Sequence, residues 1–178
     1  MVHREAYQWI RESSTSAWKT FLRMLGQPIP ATLPAVVPVQ TLHQPDTHLI
    51  WMAYLHTIRP VRTLWAMAAH PRGAAWAVRR ILSVHPTDPS GETMQISAFK
   101  EIANILGCTY YNHLAERVHH VLVPSVPVLV IGDWKDCQDT LQRELDSTHN
   151  PFRMYVSSIT LGTLPWPFWM MMAIPGTW

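Results

Sequence analysis

The sequence predicts a mainly α-helical protein, a small helical domain with an extended Pro-rich N-terminal arm and an apolar C-terminal arm. Three observations predict this class. Apolar residues recur at helical spacings, prolines separate short segments, and the only convincing strand is the Val-rich run Val128–Ile131. A chain of 178 residues has room for one core and hardly for two. We therefore expect at most one or two short strands.

Composition divides the chain into three parts. Residues 1–45 are predicted to form an amphipathic helix and a Pro-rich docking arm, residues 46–150 a helical core domain, and residues 151–178 an uncharged aromatic tail. Charged residues make up only 15% of the chain, which also contains nine Trp. Soluble domains usually have about a quarter charged residues. The surplus apolar surface is therefore expected at interfaces with other proteins.

The first 26 residues are predicted to form an amphipathic helix. Tyr7, Ile10, Trp18 and Phe21 belong to an apolar series with spacings of three, four and seven. Basic residues outnumber acidic ones, and a Ser-rich patch follows Glu12. An Arg-rich, Ser-rich amphipathic segment without an apolar run is typical of an organelle targeting segment. We interpret it as a retained mitochondrial signal, with an ordinary docking helix as the alternative.

The segment from residue 27 to 45 contains prolines at positions 28, 30, 34, 38 and 45. This spacing forbids a helix and favours an extended or polyproline II backbone. The segment also carries apolar residues such as Leu33 and Val36. It is therefore predicted to lie as an extended strap across a partner surface. Recognition by an SH3-like groove is the alternative.

A basic, Trp-rich stretch, residues 46–82, is predicted to form short helices that begin at prolines. Asp46 is a candidate N-cap, and Pro60 and Pro71 can each occupy the first position of a helix. Trp65 and Trp76 lie eleven residues apart, close to three helical turns, so they would share one face of a bent helix.

The arginines of this stretch give residues 47–86 a formal charge of +5, whereas residues 87–150 carry nine acids against four bases. A basic face of this kind is a candidate contact for an anionic phospholipid or an acidic protein partner. Pairing with the acidic half, or a solvated helix face, is the alternative. The candidate residues are Arg59, Arg62, Arg72, Arg79 and Arg80.

Two helices are predicted in the acidic half, Met94–Leu106 with Gly107 as its stop, and Thr109–Val123. His113, Glu116 and His120 share a face of the second helix and form a conceivable zinc site. Glu116 and His119 also form half of the motif of di-iron helix bundles. No second copy of that motif exists in the chain, and HExxH is absent. We therefore expect no metal and no cofactor.

The Val128–Ile131 strand is predicted to end at Gly132-Asp133, ahead of a helix over Lys135–Asp146. Asp133 at such a junction is interpreted as a helix cap, because no Gly-rich loop, GxSxG or P-loop accompanies it.

The two cysteines, Cys108 and Cys137, fit neither a zinc motif nor a disulfide framework, so both are expected to be reduced and buried.

The tail from Met154 to Trp178 contains no charged residue. Its length would suffice to cross a bilayer, but Pro165, Pro167 and Pro175 make it a poor spanning helix. Burial against a protein partner is the favoured interpretation, and a membrane-facing or re-entrant segment is the alternative. The candidate contact residues of the tail are Trp166, Trp169 and Trp178.

These observations indicate a non-catalytic accessory subunit of a large multi-protein assembly at the mitochondrial inner membrane, in a respiratory-chain complex or ATP synthase. Two alternatives remain. An RNA-contacting subunit of an organellar ribosome would use the Arg-rich stretch, but a net charge of only +2 argues against nucleic-acid binding. A small metal-dependent enzyme would use His113, Glu116 and His120. No small-molecule substrate is expected.

Overall fold

A central antiparallel β-sheet with helices on both faces organises the chain. The computed structural model describes residues 2–28, 33–38, 49–59, 61–83, 91–146, 152–162 and 164–176. Within these residues the elements in chain order are α1 Val2–Met24, β1 Val37–Pro38, β2 Ile50–Thr57, β3 Thr63–Ala69, α2 Pro71–Leu82, α3 Gly91–Val118, β4 Val128–Gly132, α4 Trp134–Asp146, β5 Phe152–Ile159 and β6 Phe168–Pro175.

The sheet has an internal two-fold arrangement. Across the described residues its six strands lie in the order β1-β5-β6-β3-β2-β4, and all neighbours are antiparallel. Each half of the chain supplies a long helix, a short edge strand and a hairpin: α1, β1 and β2–β3 first, then α3, β4 and β5–β6. If each strand is replaced by its equivalent in the other half, the same strand order results, read from the opposite edge of the sheet. Each edge strand pairs with the hairpin of the other half, which joins the two halves into one sheet.

The helices α1 and α3 repeat the same burial pattern at an offset of 89 residues. The equivalent buried pairs are Ile10 and Phe99, Ser13 and Ile102, Ser14 and Ala103, Ala17 and Leu106, Trp18 and Gly107, Phe21 and Tyr110, and Leu22 and Tyr111, followed by Leu25, one residue past the end of α1, and Leu114. Positions at i, i+3, i+4 and i+7 form one face of a helix. The two helices therefore present matching faces to the sheet, although few of the paired residues are identical.

Two hydrophobic cores lie on opposite faces of the sheet. The larger core packs α1, α2 and α3 against one face, through residues such as Trp18, Trp65 and Phe99. The smaller core packs α4 against the other face, through Trp134, Leu141 and Trp169 among others. All residues of β3 and nearly all of β2 and β6 are buried. Strands buried on both faces carry continuous apolar runs without the alternation that marks a half-exposed strand.

The predicted fold class, a mainly helical domain with one or two short strands, is wrong, because the described residues form a six-stranded sheet whose central strands are buried. In its described residues the basic stretch forms the β2–β3 hairpin and one helix that begins at a proline, α2, instead of a series of short helices. Trp65 lies in β3 and Trp76 in α2, so the two do not occupy matching helical positions. Pro71 does begin α2, as predicted, whereas Pro60 and Asp46 lie outside the described residues. The expected apolar tail supplies β5 and β6, the latter in the middle of the sheet.

Other predicted elements are confirmed. The N-terminal amphipathic helix is α1, the Val-rich strand is β4, and the helix that follows it is α4. Of the Pro-rich arm, residues 33–36 lack regular structure and Val37–Pro38 form β1, while positions 29–32 and 39–48 are outside the described part. None of the helices described is long and apolar enough to cross a membrane.

Gly107 does not end a helix, because α3 continues through it as a single helix of 28 residues. An added Cβ at Gly107 would lie 2.8 Å from Leu55 Cδ1 and 3.1 Å from Trp65 Cε3. At these distances a side chain at position 107 fits only if the buried Leu55 and Trp65 side chains move. The glycine therefore permits close approach of α3 to the β2–β3 hairpin, which outweighs its low helix propensity.

Replacing Gly107 by Val is expected to lower the free energy of unfolding by about 2 kcal/mol or more, because the added carbons overpack the interface with Leu55 and Trp65. Urea unfolding followed by circular dichroism measures this change. Asn112→Val, at an exposed position of the same helix, is the matched control and carries only the propensity cost of about 0.5 kcal/mol or less. Equal losses in the two variants would contradict the close packing of Gly107.

The adjacent Tyr110 and Tyr111 provide a second test of the packing of α3. The Tyr111 hydroxyl donates to the backbone carbonyls of Leu55 and Thr63, at 3.2 and 3.3 Å, and so ties α3 to both strands of the hairpin. The Tyr110 hydroxyl is also buried but has no hydrogen-bond partner among the described residues. Burial raises the pKa of both hydroxyls.

Tyr111→Phe is expected to destabilise the protein by about 1 kcal/mol, because it removes a buried hydrogen bond. Tyr110→Phe is expected to be neutral or slightly stabilising, because it removes a buried hydroxyl without a partner. Thermal and urea unfolding of the two variants measure the difference. The packing described above fails this test if Tyr110→Phe is the more damaging change.

Candidate functional site

The solvent-facing side of α3 carries a compact set of polar and apolar side chains, which we call the α3 face: Glu101, Asn104, Ile105 and Cys108. Glu101 and Ile105 are exposed, and Asn104 and Cys108 are half-buried. Residues three and four positions apart lie one above the other on a helix. The buried positions of α3 face α1 and the sheet, so these four side chains are left toward solvent.

The polar groups of the α3 face make few hydrogen bonds or ion pairs with other described residues. Glu101 is in no ion pair within the described part of the chain. The side-chain carbonyl of Asn104 accepts a long hydrogen bond from the Cys108 thiol, with Sγ 3.8 Å from Oδ1. An exposed carboxylate and an amide one helical turn apart can therefore bind an incoming group without first breaking strong internal contacts.

Cys108 is a poor nucleophile in this setting. Burial raises the pKa of its thiol, and the nearby Glu101 carboxylate raises it further. Because the thiolate is the reactive form, a raised pKa keeps this sulfur protonated at neutral pH. The chemistry available to the α3 face is therefore binding and positioning by Glu101 and Asn104 rather than covalent attack by a thiol.

The equivalent place on α1 differs from the α3 face. The offset of 89 residues matches Glu12 to Glu101 and Thr15 to Asn104. Glu12 is held by Arg117 at 2.8 Å and accepts a hydrogen bond from Gln8 at 2.9 Å. Thr15 has a side-chain hydroxyl group where Asn104 has a side-chain amide. The first copy thus retains a carboxylate, but that carboxylate is engaged within the protein.

Sequence reasoning missed the α3 face, although a signal for it was present. The signal is a single repeat with an offset of 89 residues, whereas the predictions rested on shorter spacings such as the eleven residues between Trp65 and Trp76. At that offset the two glutamates coincide, and a proline follows 26 residues after each of them, at Pro38 and Pro127.

The structure does not bring together His113, Glu116 and His120, the zinc site that the sequence makes conceivable although no metal is expected. Val118 ends α3, so His119 and His120 lie in the following turn, and His119 has a left-handed φ of 54°. His113 is half-buried, with Nδ1 3.4 Å from Ser13 Oγ of α1. Across the residues that the structure describes, no group of three His, Cys, Asp or Glu side chains could hold a metal ion.

The structure brings together three of the predicted lipid or partner contact residues. Arg72, Arg79 and Trp166 line one cavity of about 620 Å³ between α2, the start of α3 and the segment before β6. The Arg72 guanidinium carbon lies 5.9 Å from the centre of the Trp166 ring. On Trp166 the His70 imidazole stacks at a centroid distance of 5.0 Å and an angle of 10°.

The remaining predicted contact residues lie apart. Arg62 donates to the Glu144 backbone carbonyl at 2.6 Å and pairs with its carboxylate at 3.4 Å, which joins the β2–β3 connection to α4. Arg80 donates to the Leu25 carbonyl at 3.2 Å. Trp169 is buried in the smaller core beside Trp134. Arg59 is exposed, and Trp178 lies outside the described residues.

Comparisons with known proteins identify the fold. No protein-family model matches the chain, and no curated protein sequence matches it at a significant level. Among solved structures, FliY from Thermotoga maritima matches with a TM-score of 0.65 and 15% identity, over 93% of this chain and 85% of that one. The chemotaxis protein CheX from Desulfovibrio desulfuricans matches with a TM-score of 0.57 and 16% identity, over 93% and 98%.

A third match is a chain of the CheX–CheY–BeF₃–Mg²⁺ complex from Borrelia burgdorferi, with a TM-score of 0.53 and 11% identity, over 92% of this chain and 96% of that one. At these identities the likeness shows the fold. It is the α/β fold of the bacterial chemotaxis and flagellar proteins CheX and FliY, built on an antiparallel sheet.

These matches correct the function expected from composition. The interpretations as an accessory subunit of a mitochondrial respiratory complex or ATP synthase, with an inner-membrane location, are wrong, because the structures with this fold are bacterial chemotaxis and flagellar proteins. The organellar-ribosome and metal-enzyme alternatives fall with them. A protein with this fold forms a complex with another protein, as the CheX–CheY complex shows. The fold is compatible with catalysis, so the expectation of a non-catalytic protein stays a prediction.

The raised pKa of the Cys108 thiol predicts slow alkylation. At neutral pH iodoacetamide is expected to react with Cys108 more slowly than with free cysteine, and the rate is expected to keep rising above about pH 9, where the rate of free cysteine levels off. Mass spectrometry after timed quenching measures both rates. In Cys108→Ser the remaining Cys137, whose pKa burial raises to about 12, should stay unlabelled in the folded protein. Fast labelling of Cys108 at pH 7 would be inconsistent with this environment.

Proposed function

We propose that this protein binds a phosphorylated CheY-type partner and promotes hydrolysis of its acyl phosphate at the α3 face. The observation that carries the proposal is the pair Glu101 and Asn104, one turn apart on the solvent side of α3, with no ion pair to Glu101 in the described part of the chain. The fold supports it, since one protein that shares this fold is in complex with CheY, BeF₃ and Mg²⁺. BeF₃ with Mg²⁺ is a chemical stand-in for a phosphoryl group.

The chemistry of phosphoryl transfer suits this pair. Water must attack the phosphorus in line with the leaving carboxylate, and catalysis consists mainly of positioning and electrostatic stabilisation. The Asn104 side chain is neutral and offers both a donor and an acceptor, so it can approach an anionic phosphoryl group and orient the attacking water. No thiolate or metal ligand on the protein is needed for this step.

Glu101 takes a different role in the proposal. A carboxylate beside a phosphoryl group is repelled unless a cation lies between them. We assign Glu101 to a cationic group of the partner, either a basic side chain or its bound Mg²⁺, which fixes the register of Asn104 against the phosphoryl group. The exposed Ile105, with 39% of its surface accessible, supplies apolar contact area between the two polar residues and the partner.

Loss of phosphate from a phosphorylated CheY protein tests the proposal. The full-length chain is expected to accelerate dephosphorylation, and Asn104→Ala to reduce the acceleration about 100-fold, because the water is no longer positioned. Glu101→Gln is expected to weaken binding of the BeF₃-loaded partner by about tenfold or more. Release of ³²P measures the rate, and calorimetry measures the binding.

Two matched controls keep the test specific. Asn112→Ala removes an exposed amide two turns further along α3, and Glu12→Gln removes the equivalent carboxylate of the first repeat. Neither is expected to change dephosphorylation. Full activity of Asn104→Ala, or equal losses in Asn104→Ala and Asn112→Ala, would refute the assignment.

A non-catalytic binding module is the second candidate. It is favoured by exposed apolar side chains on the connection from α3 to β4, where Val121, Val123 and Val126 have exposed fractions of 79%, 68% and 81%. Surfaces of this kind mark protein contacts. In the same experiment this candidate predicts partner binding without any acceleration of dephosphorylation.

A further inference from the structure

The cavity lined by Arg72, Arg79 and Trp166 lies at the start of α3, away from the α3 face, and the proposed function makes no use of it. Its volume of about 620 Å³ falls within the range of small-molecule sites. Trp76, Glu92 and Gln95 also line it. The cavity thus combines guanidinium groups, flat aromatic walls, a carboxylate and an amide.

The two guanidinium groups are available to a ligand. Neither Arg72 nor Arg79 lies within 4.0 Å of a carboxylate oxygen among the residues described. Arg72 instead lies over the Trp166 ring, and its charge lowers the pKa of His70 in addition to the larger effect of burial. The imidazole of His70 accepts a hydrogen bond from the Arg72 backbone amide at 3.1 Å, so it caps α2 as a neutral group. The positive charge in this cavity therefore belongs to the two arginines.

Each type of side chain in the cavity matches a different part of one ligand class. Guanidinium groups bind phosphate oxygens, often in bidentate fashion, and Arg72 and Arg79 lie about two helical turns apart on α2 and line the same cavity. The half-buried indole of Trp76 offers an apolar surface for a planar base, and Trp166, on whose ring His70 stacks and over which Arg72 lies, borders the same space. A carboxylate and an amide, as in Glu92 and Gln95, accept hydrogen bonds from ribose hydroxyl groups. A free phosphate would use only the arginines, and a sugar would leave them without a partner.

We propose that this cavity binds a ribonucleotide, with Arg72 and Arg79 on the phosphate, Trp76 and Trp166 beside the base, and Glu92 and Gln95 at the ribose. The inference is independent of the phosphatase proposal, because it rests on a different surface and on different residues. A nucleotide bound here would lie about two helical turns from Glu101 along α3.

Titration calorimetry of the full-length protein tests this assignment, with the ribonucleoside 5′-monophosphates, the uncharged nucleosides and inorganic phosphate as probes. At least one monophosphate is expected to bind with a Kd below about 100 μM. Its nucleoside and inorganic phosphate are each expected to bind about tenfold more weakly or worse, because each lacks half of the contacts. No binding of any nucleotide up to about 1 mM would overturn the proposal. Inorganic phosphate that binds as tightly as the nucleotide would also overturn it.

Variants locate the site. Arg79→Gln and Arg72→Gln are each expected to raise the Kd about tenfold or more, because each removes a charge-assisted hydrogen bond to the phosphate. Arg23→Gln, at an exposed position near the end of α1, is the matched control and should leave the Kd unchanged. Arg72 is exposed on the first turn of α2, so its variant remains folded and informative even if Arg79→Gln is unstable. Unchanged nucleotide affinity in Arg72→Gln would exclude this cavity as the site.

Discussion

Burial of both faces of the central strands is the constraint on which the rest of the structure depends. The pairing of β3 with β6 joins the two halves of the chain, and both strands lie under helices on one side and α4 on the other. Each half alone would leave its edge strand without a partner and an apolar face of its hairpin exposed. When the two halves associate, each methylene group that is removed from water stabilises the fold by about 0.8 kcal/mol. The uncharged sequence of β6 follows from this position.

The internal repeat explains how one fold holds two different helix surfaces. The buried sides of α1 and α3 must both fit the sheet, and they do so with different residues: Trp18 in one copy occupies the position of Gly107 in the other. Trp18 donates a hydrogen bond from Nε1 to Ser157 Oγ at 2.9 Å, whereas Gly107 lets the β2–β3 hairpin approach the backbone of α3. Because the outward sides face solvent, they are free to diverge without cost to the fold.

The sequence allowed prediction of those elements whose pattern is local. The period of 3.6 in α1 and the Val-rich run of β4, followed by a polar amphipathic helix, led to correct assignments. The β2–β3 hairpin and β6 were missed because strands buried on both faces do not alternate, so that Trp51 and Trp65 fit a helical pattern as well as a strand. Low charge content was read as a sign of a large assembly, although the two-sided core accounts for much of it.

The candidate sites were harder to predict than the helices, for a physical reason. The arginines and tryptophans that line the cavity come from β2, α2 and the segment before β6, which are distant in sequence and are brought together by the pairing of β2, β3 and β6. The α3 face, by contrast, is local, and its recognition requires comparison of two helices 89 residues apart rather than knowledge of the fold.

Because the α3 face lies on one helix at the surface, the effects of its substitutions on activity can be separated from their effects on stability. Glu101 and Ile105 are exposed, and the one hydrogen bond at Asn104 is long, so the core beneath them does not depend on their side chains. Substitutions of exposed residues usually change stability by less than about 0.5 kcal/mol. A large loss of activity in the Glu101 and Asn104 variants, with an unchanged free energy of unfolding, is therefore assigned to the chemistry of the removed group. The same substitutions at buried positions of α3, such as Tyr111, would confound the two effects.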